Sequence, residues 1–142
     1  MKVIVTSVGS LSGTFVVKRL KELGYYVIGT NSEKLSSLDG HLECDEFFIV
    51  PHSKSILTYK NAILNLVNVS KASKIIPLTD PEVWILSEIS SQLRILGCQY
   101  TGPTREALCS VMDKQKLAER AELITNKTFK TIPTYQIGRA HV

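Results

Sequence analysis

Short apolar runs alternate with amphipathic stretches along most of the chain. Continuous apolar strands, as opposed to strands that alternate apolar and polar residues, are typical of parallel sheets covered on both faces. Parallel strands need crossover connections, which are usually helical. The pattern therefore predicts an α/β fold, a Rossmann-like doubly wound parallel sheet in three layers. The predicted strands are Val3–Val5, Tyr25–Ile28, Phe47–Val50, Lys74–Leu78 and Gln99–Tyr100.

Helical spacing of apolar residues fills the segments between the strands. The first helix is predicted to bury a face made of Phe15, Val16, Leu20 and Leu23. A second helix is predicted over residues 55–70, a short one ends at Val111, and a last one covers residues 114–124.

The segment Asp80-Pro81-Glu82 predicts the start of a helix that continues to Leu96. Asp80 is expected to cap the free N–H groups, with Pro81 in the first helical position and Glu82 facing the positive end of the dipole. Gly97 is expected to end this helix.

The turns at the carboxyl ends of the strands carry the candidate site, because ligands of such sheets bind there. Gly9 and Ser10 lie in a turn of small residues before a helix, where a backbone can approach an anion. Thr79, Asp80 and Glu82 bring a hydroxyl and two carboxylates to the same edge. Each feature also has a purely structural interpretation, as a tight turn or as helix capping.

Composition narrows the functional class. The 142 residues are 44% hydrophobic and 21% charged, with a net charge of +4, which is ordinary for a globular domain and gives no basic arm for nucleic acid. No apolar run reaches the length of a membrane span. Three scattered cysteines indicate a reducing, cytoplasmic setting. His41 and His52 lack partners at metal-ligand spacing, so no metal site is predicted within the chain.

Lys114 opens the last predicted helix directly after Asp113. A lysine at a helix start is unfavourable for the dipole, which makes it a candidate point charge for a phosphate. A solvated surface lysine is the alternative interpretation.

Taken in order, several motifs resemble the N-terminal, pre-ATP-grasp domain of ATP-grasp ligases, such as the carbamoyl phosphate synthase large subunit, biotin carboxylase and related carboxylate–amine ligases. Each motif is loose, and their order is more specific than any one of them. The matching segments are residues 3–9, 24–29, 75–82, Gly102-Pro103-Thr104, Asp113-Lys114 and Ile132-Pro133-Thr134.

The resemblance implies roles for the candidate residues. Lys114 matches a basic residue that contacts ATP phosphates, Gly9 and Ser10 match the first loop bordering the cleft, and Thr79, Asp80 and Glu82 match the region facing substrate and phosphate. The family activates a carboxylate as an acyl phosphate, which an amine or similar nucleophile captures, using ATP and Mg²⁺. Its metal ligands and adenine clamp belong to a downstream ATP-grasp domain, so the fragment alone is expected to be inactive.

The resemblance also predicts the domain organisation. Residues 1–111 are assigned to the pre-ATP-grasp domain, residues 112–135 to the start of the ATP-grasp domain, and residues 136–142 to a non-native tail. Ile137–Val142 equals the translation of a common sequencing-library adapter, so the natural sequence is expected to continue differently after Tyr135.

Two other functional classes remain open. A short-chain-type NAD(P)-binding oxidoreductase has a glycine-rich turn similar to Thr6–Gly13, but serines replace its first two glycines and no Tyr-x-x-x-Lys pair is present. The other class is a non-catalytic binding module of Rossmann type.

Overall fold

The structure is a computed structural model that describes residues 1–33 and 39–111 and the single positions 117, 121 and 123. The chain divides into two compact units, residues 1–103 and residues 104–142. The first unit contains the whole sheet, and the second contains one short described helix. The domain assignments made from the sequence stay predictions.

Five parallel strands form one sheet in the order β3-β2-β1-β4-β5. Val3 of the central strand pairs with Val27 on one side and Lys74 on the other. The predicted parallel α/β fold is confirmed. The strands are β1 (Lys2–Val5), β2 (Tyr26–Asn31), β3 (Glu46–Ile49), β4 (Lys74–Ile76) and β5 (Gln99–Tyr100).

Helices cover both faces of this sheet. They are α1 (Leu11–Glu22), α2 (Ile56–Ser70), α3 (Asp80–Glu88) and α4 (Ser90–Ile95). A fifth helix, α5 (Arg105–Val111), belongs to the second unit. A short 3₁₀ turn, Asp39–His41, precedes β3. Within the described residues no helix has both the length and the apolar character needed to cross a bilayer.

Side-chain alternation along the strands creates two separate cores. Val3 and Val5 of β1 are buried in a cluster with Val17 of α1, whereas Ile4 between them is buried with residues of α2, α3 and α4. Because both faces of β1 are buried, its sequence is apolar throughout, which is the signal that predicts a parallel sheet.

The predicted buried face of α1 is wrong in part. Phe15 and Leu23 are 67% and 56% exposed, whereas Val17 is fully buried and Val16 and Leu20 pack around it. The rotation of the helix is set by Gly13, which is buried and brings the backbone of α1 against the backbone of Val8 in the turn after β1. A small residue therefore fixes the buried face here in preference to a large one.

The segment after β4 also differs from prediction. The N-cap of α3 is Thr79, and Asp80 is an exposed residue of the first turn, so the assignment of Asp80 as the cap is wrong. The predicted single helix is two helices that meet at Ile89. Gly97 ends the second with a φ of +81°, as its position predicts.

The strand order reverses between β1 and β4. The chain builds β2 and β3 on one side of β1 and then crosses to β4 and β5 on the other. At such a switch point the connections leaving the two strands diverge, and a crevice opens at their carboxyl ends. The turns after β1 and β4 therefore border the expected ligand site.

Replacement of Gly13 by alanine is expected to destabilise the fold. The added Cβ would lie 2.6 Å from both the Cα and the carbonyl oxygen of Val8, and neither backbone atom can rotate away. We expect a loss of about 1–3 kcal/mol despite the better helix propensity of alanine. Ser12→Ala, at the exposed neighbouring position, should change stability by less than about 0.5 kcal/mol. Urea denaturation followed by circular dichroism measures both, and equal midpoints would contradict the packing argument.

Candidate functional site

Glu82 is a buried carboxylate in the first turn of α3, only 5% exposed. It follows β4 at the switch point, so its side chain lies at the carboxyl edge of the sheet. Burial of an ionised carboxylate is costly unless its oxygens are hydrogen-bonded, and the partners of Glu82 therefore define the site.

Four hydroxyl groups donate to this carboxylate. Thr6, Ser7 and Thr79 donate to Oε2 at 2.8, 2.9 and 2.7 Å. Tyr59 of α2 donates to Oε1 at 3.1 Å. These donors come from the end of β1, the turn before α3 and a helix on one face of the sheet. One carboxylate thus joins three segments that are far apart in sequence.

The donors are themselves held in place. The Thr6 hydroxyl also accepts a hydrogen bond from the backbone N–H of Leu78 at 3.3 Å, which fixes the direction of its hydrogen. Burial, together with the nearby negative charge of Glu82, raises the pKa of the Tyr59 phenol far above its ordinary value. Tyr59 therefore remains a protonated donor.

Ser7 adopts a left-handed backbone conformation, with a φ of 51°. This conformation is uncommon for a residue with a side chain and marks a turn under constraint. Its carbonyl accepts hydrogen bonds from the hydroxyl of Ser10 at 2.8 Å and from the backbone N–H of Ser10 at 3.1 Å. The bond from the Ser7 hydroxyl to Glu82 holds the other side of the turn.

The predicted site residues Gly9 and Ser10 lie in this turn. The Ser10 hydroxyl caps α1 by accepting from the N–H of Gly13 at 3.0 Å. This cap contact agrees with the structural interpretation of the turn. The role of Gly9 and Ser10 beside the cleft stays a prediction.

A cavity of about 230 Å³ lies beside the carboxylate. Its polar lining comprises Ser7, Ser32, His52, Ser53, Tyr59, Thr79 and Glu82, and its apolar lining includes Val50, Pro51 and Pro81. These residues follow β1, β2, β3 and β4 or begin α2. The cavity therefore lies where the topology predicts a ligand crevice.

Two of the predicted substrate residues, Thr79 and Glu82, meet in this cavity. Asp80 is exposed, and it is not among the described residues that line the cavity. Lys114, the predicted phosphate contact, lies outside the described residues.

Sequence reasoning missed Tyr59 and His52 as members of the site, whereas Ser7 belongs to the turn that it placed at the carboxyl edge of the sheet. Tyr59 falls in the apolar stripe of α2 and reads as an ordinary core residue. His52 was considered only as a metal ligand. A polar Thr6-Ser7 pair at the end of an apolar strand was the one available signal, and it did not identify the carboxylate that the pair contacts.

Comparison with known proteins supports the fold. No protein-family profile matches the chain, and no curated protein does. Solved structures do. The biotin carboxylase domain of a single-chain bacterial carboxylase matches with a TM-score of 0.66 at 13% identity, over 86% of this chain and 28% of that one.

Two further structures agree. The biotin carboxylase domain of the Hydrogenobacter thermophilus 2-oxoglutarate carboxylase, solved with MgADP and bicarbonate, has a TM-score of 0.62 at 22% identity, over 86% of this chain and 27% of that one. Glycinamide-RNase-transformylase T from Mycobacterium tuberculosis has a TM-score of 0.61 at 13% identity, over 86% of this chain and 34% of that one.

The parallel, Rossmann-like α/β fold of this chain is similar to part of the biotin carboxylase structures. The chain spans about a third or less of the length of these three structures.

Replacement of Glu82 by alanine is expected to cost about 3 kcal/mol or more of unfolding free energy, because four buried or half-buried hydroxyls lose a charged acceptor. Glu22→Ala, which removes an exposed ion pair with Arg19, should cost less than about 1 kcal/mol. Thermal and urea unfolding of both variants measures the difference. A loss at Glu82 as small as that at Glu22 would show that the hydroxyl contacts contribute little.

The thiols of the first unit are expected to react slowly with alkylating reagents. Burial is the largest cause that raises the pKa of Cys44 and of Cys98 to about 11. The thiolate is the reactive form, so alkylation of the native protein should accelerate by roughly tenfold per pH unit from pH 7 to 10. Iodoacetamide labelling with mass spectrometry tests this, with the exposed Cys109 as internal reference. A pH-independent rate at Cys44 would contradict it.

Proposed function

We propose that this chain is the N-terminal, pre-ATP-grasp part of an ATP-dependent ligase that activates a carboxylate as an acyl phosphate for capture by an amine or similar nucleophile. The observation that carries the proposal is the likeness to biotin carboxylase structures over 86% of the chain. The order of the sequence motifs supports it independently. The setting we propose is the cytoplasm.

The described residues supply substrate binding and not the phosphate chemistry. The cavity is lined by a carboxylate whose oxygens already accept four hydroxyl hydrogens, and no lysine or arginine belongs to its described lining. Such a lining does not fit ATP phosphates, which need cationic or N–H donors. It does not fit a magnesium ion either, since the described residues contain no group of three or more side chains that could hold a metal. ATP and Mg²⁺ are therefore assigned to the downstream domain.

Within this proposal, Lys114 provides a positive charge for the ATP phosphates at the junction between the two domains. Gly9 and Ser10 form the turn that borders the cleft, and Thr79 and Glu82 face the substrate. Asp80 lies beside Thr79 in the sequence, at the same edge of the sheet, but its side chain is exposed.

The parent gene is expected to continue in frame past codon 135 into an ATP-grasp domain. Long-read genomic DNA gives this result directly. The full-length product should form ADP and phosphate only when both a carboxylate and an amine are supplied, whereas the 142-residue chain should show no turnover. An in-frame stop after codon 135 would contradict the proposal and favour a non-catalytic module.

Lys114→Met in the full-length enzyme should lower kcat/KM by about 30-fold, because a charge-assisted contact to a phosphate is worth about 2 kcal/mol. Lys18→Met, which removes an exposed lysine paired with Glu43, serves as the control and should leave kcat/KM unchanged. Equal rates for the two variants would remove Lys114 from the phosphate site.

The oxidoreductase alternative makes a different prediction. Its dinucleotide would bind the chain itself, so titration of NADH fluorescence with the 142-residue protein should show saturation. No binding at millimolar cofactor is the result that the ligase proposal expects.

A further inference from the structure

We infer that the cavity beside Glu82 binds the ammonium-bearing substrate, and not the carboxylate substrate, of the proposed reaction. The identification of the bound amine as a substrate rests on the proposed function. The charge preference of the cavity depends on the described residues alone. It goes further than the assignment of Thr79, Asp80 and Glu82 to substrate in general, because it names the charge of the group that binds.

Glu82 has no cationic side chain as a partner among the described residues. The carboxylate is 5% exposed, and none of the ion pairs found among the described residues includes it. Hydroxyl dipoles and the N-terminus of α3 stabilise the carboxylate, and attraction to a cation is strengthened at a site of low dielectric. Among the Asp, Glu, Lys and Arg side chains, only this carboxylate belongs to the described lining of the cavity.

No lysine or arginine balances this carboxylate within the described lining of the cavity. The Nδ1 atom of His52 is engaged with the backbone, because it accepts a hydrogen bond from the N–H of Lys54 at 3.1 Å.

The hydroxyl donors are distributed unequally between the two oxygens of the Glu82 carboxylate. Oε2 receives three hydroxyl hydrogens, whereas Oε1 receives only that of Tyr59. A carboxylate offers about four lone-pair positions, two on each oxygen. One acceptor position on Oε1 is therefore left for a ligand, and an ammonium N–H is a donor that also matches the charge.

The cavity suits a small aliphatic amine. A volume of about 230 Å³ corresponds to roughly eight water molecules at about 30 Å³ each. Val50, Pro51 and Pro81 supply an apolar wall for methylene groups. A carboxylate or phosphate would instead place a like charge beside Glu82, and that repulsion selects against the acid substrate.

The test uses the 142-residue chain and three isosteric probes, propylammonium, 1-propanol and propionate. Backbone amide NMR shifts are followed at Ser7, His52, Tyr59, Thr79 and Glu82. Propylammonium is expected to shift these signals and saturate in the millimolar range, at least tenfold more tightly than the other two probes. Tighter or equal binding of propionate would overturn the inference.

Variants separate the role of the charge from the role of folding. Glu82→Gln should weaken propylammonium binding by about tenfold or more, whereas Glu22→Gln, the same change at an exposed glutamate, should leave it unchanged. Tyr59→Phe keeps the carboxylate and frees a second position on Oε1, so its affinity should equal or exceed that of the parent chain. Weaker binding by Tyr59→Phe in a folded protein would overturn the assignment of Oε1.

The inference and the proposed function fail separately. Selective propylammonium binding without a downstream ATP-grasp domain would leave an amine-binding module and remove the ligase. ATP-dependent turnover by the full-length enzyme without propylammonium binding to this cavity would keep the ligase and overturn the inference.

Discussion

The bond set around Glu82 is the constraint on which the functional edge of the sheet depends. An ionised carboxylate is placed where water reaches little of it, and the fold supplies hydroxyl hydrogens from β1, from the turn before α3 and from α2. Each donor must arrive at the right distance for the charge to be tolerated. The positions of α2 and α3 over the sheet and the shape of the β1–α1 turn are thereby linked to one side chain.

The choice of hydroxyls in place of a cation has a consequence for function. A lysine or arginine at the same place would cancel the charge and form a closed ion pair. Hydroxyls stabilise the carboxylate and leave its charge uncancelled. They also fix the β1–α1 turn, since Ser7 is held in a left-handed conformation by Glu82 on one side and by Ser10 on the other. The Glu82 carboxylate therefore both holds the turn in place and supplies the negative charge beside the cavity.

The sequence was sufficient for the parts of the fold that depend on short-range pattern. Apolar runs predicted the parallel strands, and Gly97 was expected to end a helix and has a positive φ value. It failed where one close approach overrides the pattern. Gly13 against Val8 rotates α1 and exposes Phe15, which the periodicity had placed in the core.

The sequence predicted where the candidate site lies along the chain, but it did not predict which residues donate hydrogen bonds to Glu82. Thr79 and Glu82 were recognised because they follow a strand, but their donors lie 75, 76 and 23 residues from Glu82 in the cases of Ser7, Thr6 and Tyr59. No local pattern encodes such pairs. Tyr59 fits the apolar spacing of α2, so the sequence pattern does not indicate that its hydroxyl donates a hydrogen bond.

The charge of the edge also bears on where phosphate chemistry can occur in the proposed enzyme. A negative cavity raises the electrostatic cost of bringing a polyphosphate close, and this cost falls only if positive charge lies between the two. The family resemblance assigns a contact with the ATP phosphates to Lys114 and the metal ligands to a downstream domain. In the proposed enzyme the phosphate chemistry therefore depends on groups other than those that line this cavity.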